Sequence, residues 1–117
     1  MQAHDRRVKS VLIAGAMWLL ASVASAQTGT AGIAGVARDP SGAVLPGVTI
    51  EAASPALIEK TRTVVTDGEG QYKFVSLPPG VYSVTFSLEG FTSFKRDGVE
   101  LTSNFTATVN GDLKVGS

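Results

Sequence analysis

The sequence predicts an all-β sandwich of seven or eight short antiparallel strands, on three observations. From Ile33 onward, apolar and polar residues alternate in short runs, the period of a strand with one wet face. Groups rich in Gly, Pro and Asp punctuate those runs at 39–42, 46–47, 67–70, 78–80, 89–90 and 97–98. No stretch after residue 26 carries a convincing helical periodicity.

Residues 1–26 belong to a different category. Arg6, Arg7 and Lys9 form a basic n-region, Val11 to Val23 an apolar h-region, and Ala24-Ser25-Ala26 a small-x-small cleavage pattern. A secretory signal peptide ending at Ala26 is therefore expected, with Gln27 as the new N-terminus. The apolar run is shorter than the ~20 residues of a spanning helix, which disfavours an uncleaved anchor. The Arg6-Arg7 pair raises twin-arginine export, but Asp5 and Val8 flank it poorly, and the Sec route fits better.

Beyond Ala26 the elements follow in order. Gln27 to Gly32 is small and polar, a flexible lead-in to a domain spanning 33–117. Ile33 to Arg38 alternates, but both sides are apolar enough that periodicity leaves the inward face open. Asp39-Pro40-Ser41-Gly42 and Pro46-Gly47 are turns on either side of a short apolar link. Val48, Ile50 and Ala52 alternate with Thr49 and Glu51 as a half-buried strand. Ser54 to Glu59 is irregular, with Ala56-Leu57-Ile58 open to a helical turn or a bulged loop. Thr61 to Thr66 is β-branched and reads as a strand.

The stretch from Thr66 to Val84 is the centre of the pattern. Its Asp67-Gly68-Glu69-Gly70 turn leads into Gln71 to Val75, Pro78-Pro79-Gly80 makes a corner, and Val81 to Ser87 resumes the alternation. Tyr72, Phe74, Tyr82, Val84 and Phe86 fall on the core-facing positions. Phe91 to Lys95 is a short strand between turns at Glu89-Gly90 and Asp97-Gly98. The odd positions from Val99 to Val115 are largely apolar, and they predict one long strand with a kink at Gly111.

Composition excludes several kinds of chemistry. The chain has no Cys, and His4 and Trp18 are its only His and Trp, both ahead of the expected cleavage point. No disulfide framework, lipid-accepting Cys, zinc ligand set or His-dependent triad is available to the mature chain. Past Ala26, seven basic residues stand against nine acidic ones, a net of −2 without a basic stripe, so nucleic acid is not an expected partner. Asp39, Asp67 and Glu69 sit in turns. The Asp67 run lacks the alternating oxygen ligands of a calcium loop, and no metal or cofactor is expected. Phe91 and Phe94 differ in parity, which leaves one of them as a candidate contact for a sugar face or a protein partner.

At this point the motifs are recognisable. Gly35-Val36-Ala37-Arg38-Asp39-Pro40-Ser41-Gly42-Ala43-Val44-Leu45-Pro46-Gly47-Val48-Thr49-Ile50, then Thr66-Asp67-Gly68-Glu69-Gly70-Gln71-Tyr72-Lys73-Phe74, then Leu77-Pro78-Pro79-Gly80-Val81-Tyr82-Ser83-Val84, then Glu89-Gly90-Phe91, resemble the carboxypeptidase regulatory-like domain. The resemblance runs from about Thr28 to Gly116. It implies a transthyretin-like Greek-key sandwich, related to carbohydrate-binding-like folds, that accompanies a functional unit without performing catalysis. A signal ending in Ala-Gln followed at once by this domain looks like the start of a TonB-dependent outer-membrane receptor. The barrel of such a receptor needs hundreds of residues. The expectation is a truncated receptor or a free-standing accessory domain, periplasmic or on the periplasmic face of the outer membrane. Its expected partners are a receptor or periplasmic protein engaged through sheet edges, with carbohydrate binding or a ligand-free spacer as alternatives.

Overall fold

The computed structural model describes residues 29–116, so the expected signal segment and its cleavage point lie outside the described residues. Within them the chain forms ten strand segments. These are β1 (Ala31–Arg38), β2 (Thr49–Ala53), β3 (Thr61–Val65), β4 (Gln71–Leu77), β5 (Gly80–Ser87), β6 (Phe91–Thr92), β7 (Phe94–Leu101), β8 (Thr106–Thr108), β9 (Gly111–Asp112) and β10 (Lys114–Val115). One sheet runs β4-β1-β8, with β9 continuing beside β1. The other runs β3-β2-β5-β7, and β6 and β10 form a small ribbon. The two larger sheets enclose one core.

That core is the inward half of each alternating strand. Ile33 and Ala37 from β1, and Tyr72 and Phe74 from β4, meet Ile50, Ala52, Tyr82, Val84 and Phe86 from the second sheet. All five residues expected there from the central stretch are at most 5 % exposed. The Tyr72 ring stands edge-on to Phe86 at 5.5 Å and to Phe74 at 6.0 Å, the geometry that aromatic quadrupoles favour. Gly35 is what lets it do so. A Cβ there would come within 1.9 Å of the Val109 carbonyl oxygen and 3.0 Å of the Tyr72 ring, so only glycine fits beneath the ring.

The central stretch spans both sheets. Its first strand, β4, pairs antiparallel with β1, and its second, β5, lies between β2 and β7. Pro78 and Pro79 therefore carry the chain from one sheet to the other. The Tyr82 hydroxyl donates to the Pro78 carbonyl at 2.7 Å and pins that corner, the device used at tyrosine corners of other sandwiches. Leu57, from the irregular 54–60 segment, is buried as a plug. Ser54 holds that segment through its hydroxyl, which donates to Val81 O at 2.6 Å and accepts from Ala56 N–H at 3.1 Å.

Three expectations need correction. The Asp97-Gly98 pair is not a turn: β7 continues through it as a bulge, with two steps of β5 (Tyr82 to Val84) facing three steps of β7 (Arg96 to Val99). Gly98 takes φ of +68°, the left-handed conformation such a bulge needs. The run from Val99 to Val115 is not one strand. Val99 to Leu101 complete β7, a turn through Asn104 (φ +62°) changes sheet, and β8 and β9 then run beside β1. Alternation survives this change because both sheets face the same core, so Ala107, Val109, Gly111 and Leu113 are all buried. Period 2 reports which side faces in, never which sheet the strand has joined. Finally, β1 pairs with β8 and β9 in parallel, a local exception to the antiparallel plan.

Candidate functional site

The acids singled out by sequence serve the backbone. Asp67 Oδ1 accepts from Glu69 N–H at 3.0 Å and Gln71 N–H at 2.9 Å, clamping the turn into β4. Asp39 Oδ1 accepts from the Ser41 hydroxyl at 2.6 Å, Ser41 N–H at 2.9 Å and Ala43 N–H at 3.1 Å. The Ser41 hydroxyl, more than the backbone donors, holds the Asp39 carboxyl below the usual carboxylate range. Both carboxylates are thereby committed to their turns. Among the described residues no group of three or more His, Cys, Asp or Glu side chains converges on a metal-sized space.

Buried polar side chains are equally committed. The Thr66 hydroxyl donates to Leu45 O at 2.7 Å and accepts from Val48 N–H at 2.9 Å, tying the ends of β2 and β3. The Tyr72 hydroxyl donates to Val109 O at 2.5 Å, and burial pushes its ionisation above the ordinary range. Every buried side-chain nitrogen or oxygen among the described residues has a partner. None is poised for proton transfer.

The two candidate aromatic contacts lie close together on the core's margin. Phe94 is half-buried, stands edge-on to Phe86 at 5.6 Å, and has the Arg96 guanidinium 5.7 Å from its ring centre. Phe91 is also half-buried and pairs across the ribbon with Val115. The exposed ring is Phe105, 48 % accessible at the turn between sheets. Sequence reasoning missed it because its parity matches the buried positions that follow. The polar triplet Thr102-Ser103-Asn104 just ahead was the available signal.

Two surface features remain. The outward face of the first sheet is a trough, because its central strand presents Gly32, Ala34 and Val36 between larger neighbours. Gln71 and Lys73 wall one side and Thr106, Thr108 and Asn110 the other, with Asn110 Oδ1 accepting from Val36 N–H at 3.0 Å. The larger part, of about 740 Å³, extends past β4 to Val64 and Val65 of β3.

The second feature is the set of sheet edges. Lys95, Arg96, Asp97 and the Gly98 bulge break up β7, and β8 is only three residues long. On β4, Ser76 adopts φ of +57°, and Arg62 Nη1 donates to Val75 O at 3.2 Å. By contrast β3 keeps an unbroken five-residue register with β2 and has no proline, glycine or bulge. Charge, bulges and short length are the usual protections of an edge, and β3 lacks all but one charge.

Comparison with known proteins follows the same architecture. Residues 32–114 match the family model described as the carboxypeptidase regulatory-like domain. Over 66 residues, the chain is 41 % identical to the TonB-dependent transporter Oar of Myxococcus xanthus. That stretch covers 56 % of this chain but 6 % of the transporter. Among solved structures, the TIE protein of Bacillus anthracis superposes with a TM-score of 0.61 at 19 % identity, covering 74 % of this chain and 17 % of that one. A putative carbohydrate binding protein from Bacteroides uniformis superposes with a TM-score of 0.57 at 18 % identity, covering 73 % and 41 %. At such identities the two superpositions speak for the fold alone.

Proposed function

Because the chain belongs to the carboxypeptidase regulatory-like domain family, we propose that it is a non-catalytic accessory domain acting in the periplasm beside a TonB-dependent outer-membrane receptor. The observation that carries this reading is the 41 % identity to a TonB-dependent transporter. The shared region is a small fraction of that relative, so transport itself would belong to other parts of such a protein. The geometry supports a binding role, because the acids and buried hydroxyls are spent on turns and corners while a trough and an open edge remain on the surface. Cell fractionation of the tagged chain, followed by cross-linking and recovery of its neighbours, tests the proposal. Recovery with an outer-membrane receptor from the periplasmic or outer-membrane fraction supports it. A cytoplasmic chain, or one that never cross-links to a receptor, overturns it.

A second reading is favoured by the trough on the first sheet. Its small-residue floor and its hydroxyl and amide walls suit a polar, extended ligand such as a glycan, and most binding sites combine an apolar floor with a few placed polar groups. Calorimetric titration against a glycan panel tests it, with Asn110→Ala in the trough and Phe91→Ala and Phe94→Ala at the margin. Heat that disappears with Asn110→Ala places the ligand in the trough. Heat that disappears only with the phenylalanine variants places it at the margin. No heat with any glycan rejects carbohydrate binding.

A further inference from the structure

The hydrogen-bond phase of β3 shows what its open edge offers. The β2–β3 ladder pairs Thr49 with Val65, Glu51 with Thr63 and Ala53 with Thr61. Just beyond its ends, Thr66 N–H donates to Val48 O at 2.9 Å and Ser54 N–H to Lys60 O at 3.0 Å. In an antiparallel ladder, bonded and non-bonded pairs alternate. The even-numbered residues of β3 therefore bond to β2, and Thr61, Thr63 and Val65 turn their N–H and C=O groups outward. Those three residues carry six backbone groups with no partner strand among the described residues.

We propose that this edge pairs with the same edge of a second copy of the chain, antiparallel about a two-fold axis through Thr63. Three features argue for that occupant. The outward set is centred on Thr63, so this register opposes Thr63 to Thr63 and Thr61 to Val65. All three outward residues then become bonded pairs, and all six groups on each chain are satisfied. The intervening pair sets Arg62 against Val64 of the other copy, so no like charges oppose each other within the strand. Arg62 is also engaged with Glu59 and with Val75 O on its own chain, so its charge already has partners. The product is one continuous eight-stranded sheet, β7-β5-β2-β3 meeting its mate. This inference stands apart from the accessory-domain reading, since a dimer forms or fails regardless of any receptor.

Analytical ultracentrifugation of the full-length chain over a range of concentrations is the test, combined with amide hydrogen exchange. The expected result is a reversible dimer in which the Thr61, Thr63 and Val65 amides gain protection as concentration rises. Thr63→Pro removes an outward N–H without touching the ladder to β2. It is expected to raise the dimer dissociation constant about tenfold or more while leaving the far-ultraviolet circular dichroism unchanged. Thr63→Lys, which sets two ammonium groups together on the axis, is expected to do the same and serves if the proline variant fails to fold. A chain that stays monomeric at every concentration overturns the proposal. So does a dimer that persists in the folded Thr63→Pro or Thr63→Lys variant, or one whose three outward amides stay unprotected. A monomeric chain whose β3 amides are protected only by an extended segment of another protein also overturns it, in favour of a heterologous strand.

Discussion

The two edges of the second sheet, β3 and β7, are built on opposite principles. β7 carries Lys95, Arg96 and Asp97 in succession and an extra residue at Gly98, so its backbone groups fall out of step with any straight partner. β3 is β-branched and regular, with its outward N–H and C=O groups in unbroken register. A sheet closed at one border and open at the other joins a partner on one side only. The contrast marks where this domain has room for association, and it can be attacked from either side.

The largest effect is expected from Tyr82→Ala. Tyr82 packs in the core opposite Val99 at the β7 bulge and bonds Pro78 O, so its loss should cost about 3–5 kcal/mol in chemical denaturation. Hydrogen exchange should show the β7 side losing protection before the β2–β3 ladder. Equal loss on both sides would mean that the bulge is not held by Tyr82. Next comes the contrast between adjacent prolines. Val64→Pro removes a ladder N–H and is expected to destabilise by about 3 kcal/mol or more, whereas Thr63→Pro, on the open side, should cost much less. Similar losses at the two sites would break the phase assigned to β3.

Smaller again is Gly98→Ala. The site has open space around it but a left-handed φ, so the cost should be about 1 kcal/mol, and Gly98→Asn should recover part of it. The smallest effect concerns the turn at Asp39. Asp39 is held below its ordinary pKa, chiefly by the Ser41 hydroxyl, so its contribution is present above the unfolded value and is lost as pH falls through the folded one. An NMR titration should place its midpoint below that of a free aspartate, and Ser41→Ala should move it upward. An unchanged midpoint in Ser41→Ala would show that the backbone donors suffice.

Much of this architecture is legible in the residues themselves. The turn at Asp67-Gly68-Glu69-Gly70, the inward placement of Tyr72, Phe74, Tyr82, Val84 and Phe86, and the family motifs all follow from local chemistry, because turn geometry and alternation are properties of neighbouring residues. The candidate site was less accessible. Phe91 and Phe94 were distinguishable by parity alone, and parity could not show that both rings lean on the core or that Arg96 lies over Phe94.

Alternation, turn residues and family motifs thus suffice for the strands' inward faces, the turns between them and the kind of domain they make. Which strands are neighbours depends on how the two sheets assemble. The run after Val99 changes sheet without changing phase, Asp97-Gly98 becomes a bulge instead of a turn, and β1 acquires parallel partners. Local pattern is indifferent to all three, because each sheet presents its apolar side to the same core. The open edge of β3 belongs to the same class. Nothing in Thr61-Arg62-Thr63-Val64-Val65 says that β2 lies on one side and, among the described residues, no strand on the other; that follows from the order in which the sheet is assembled.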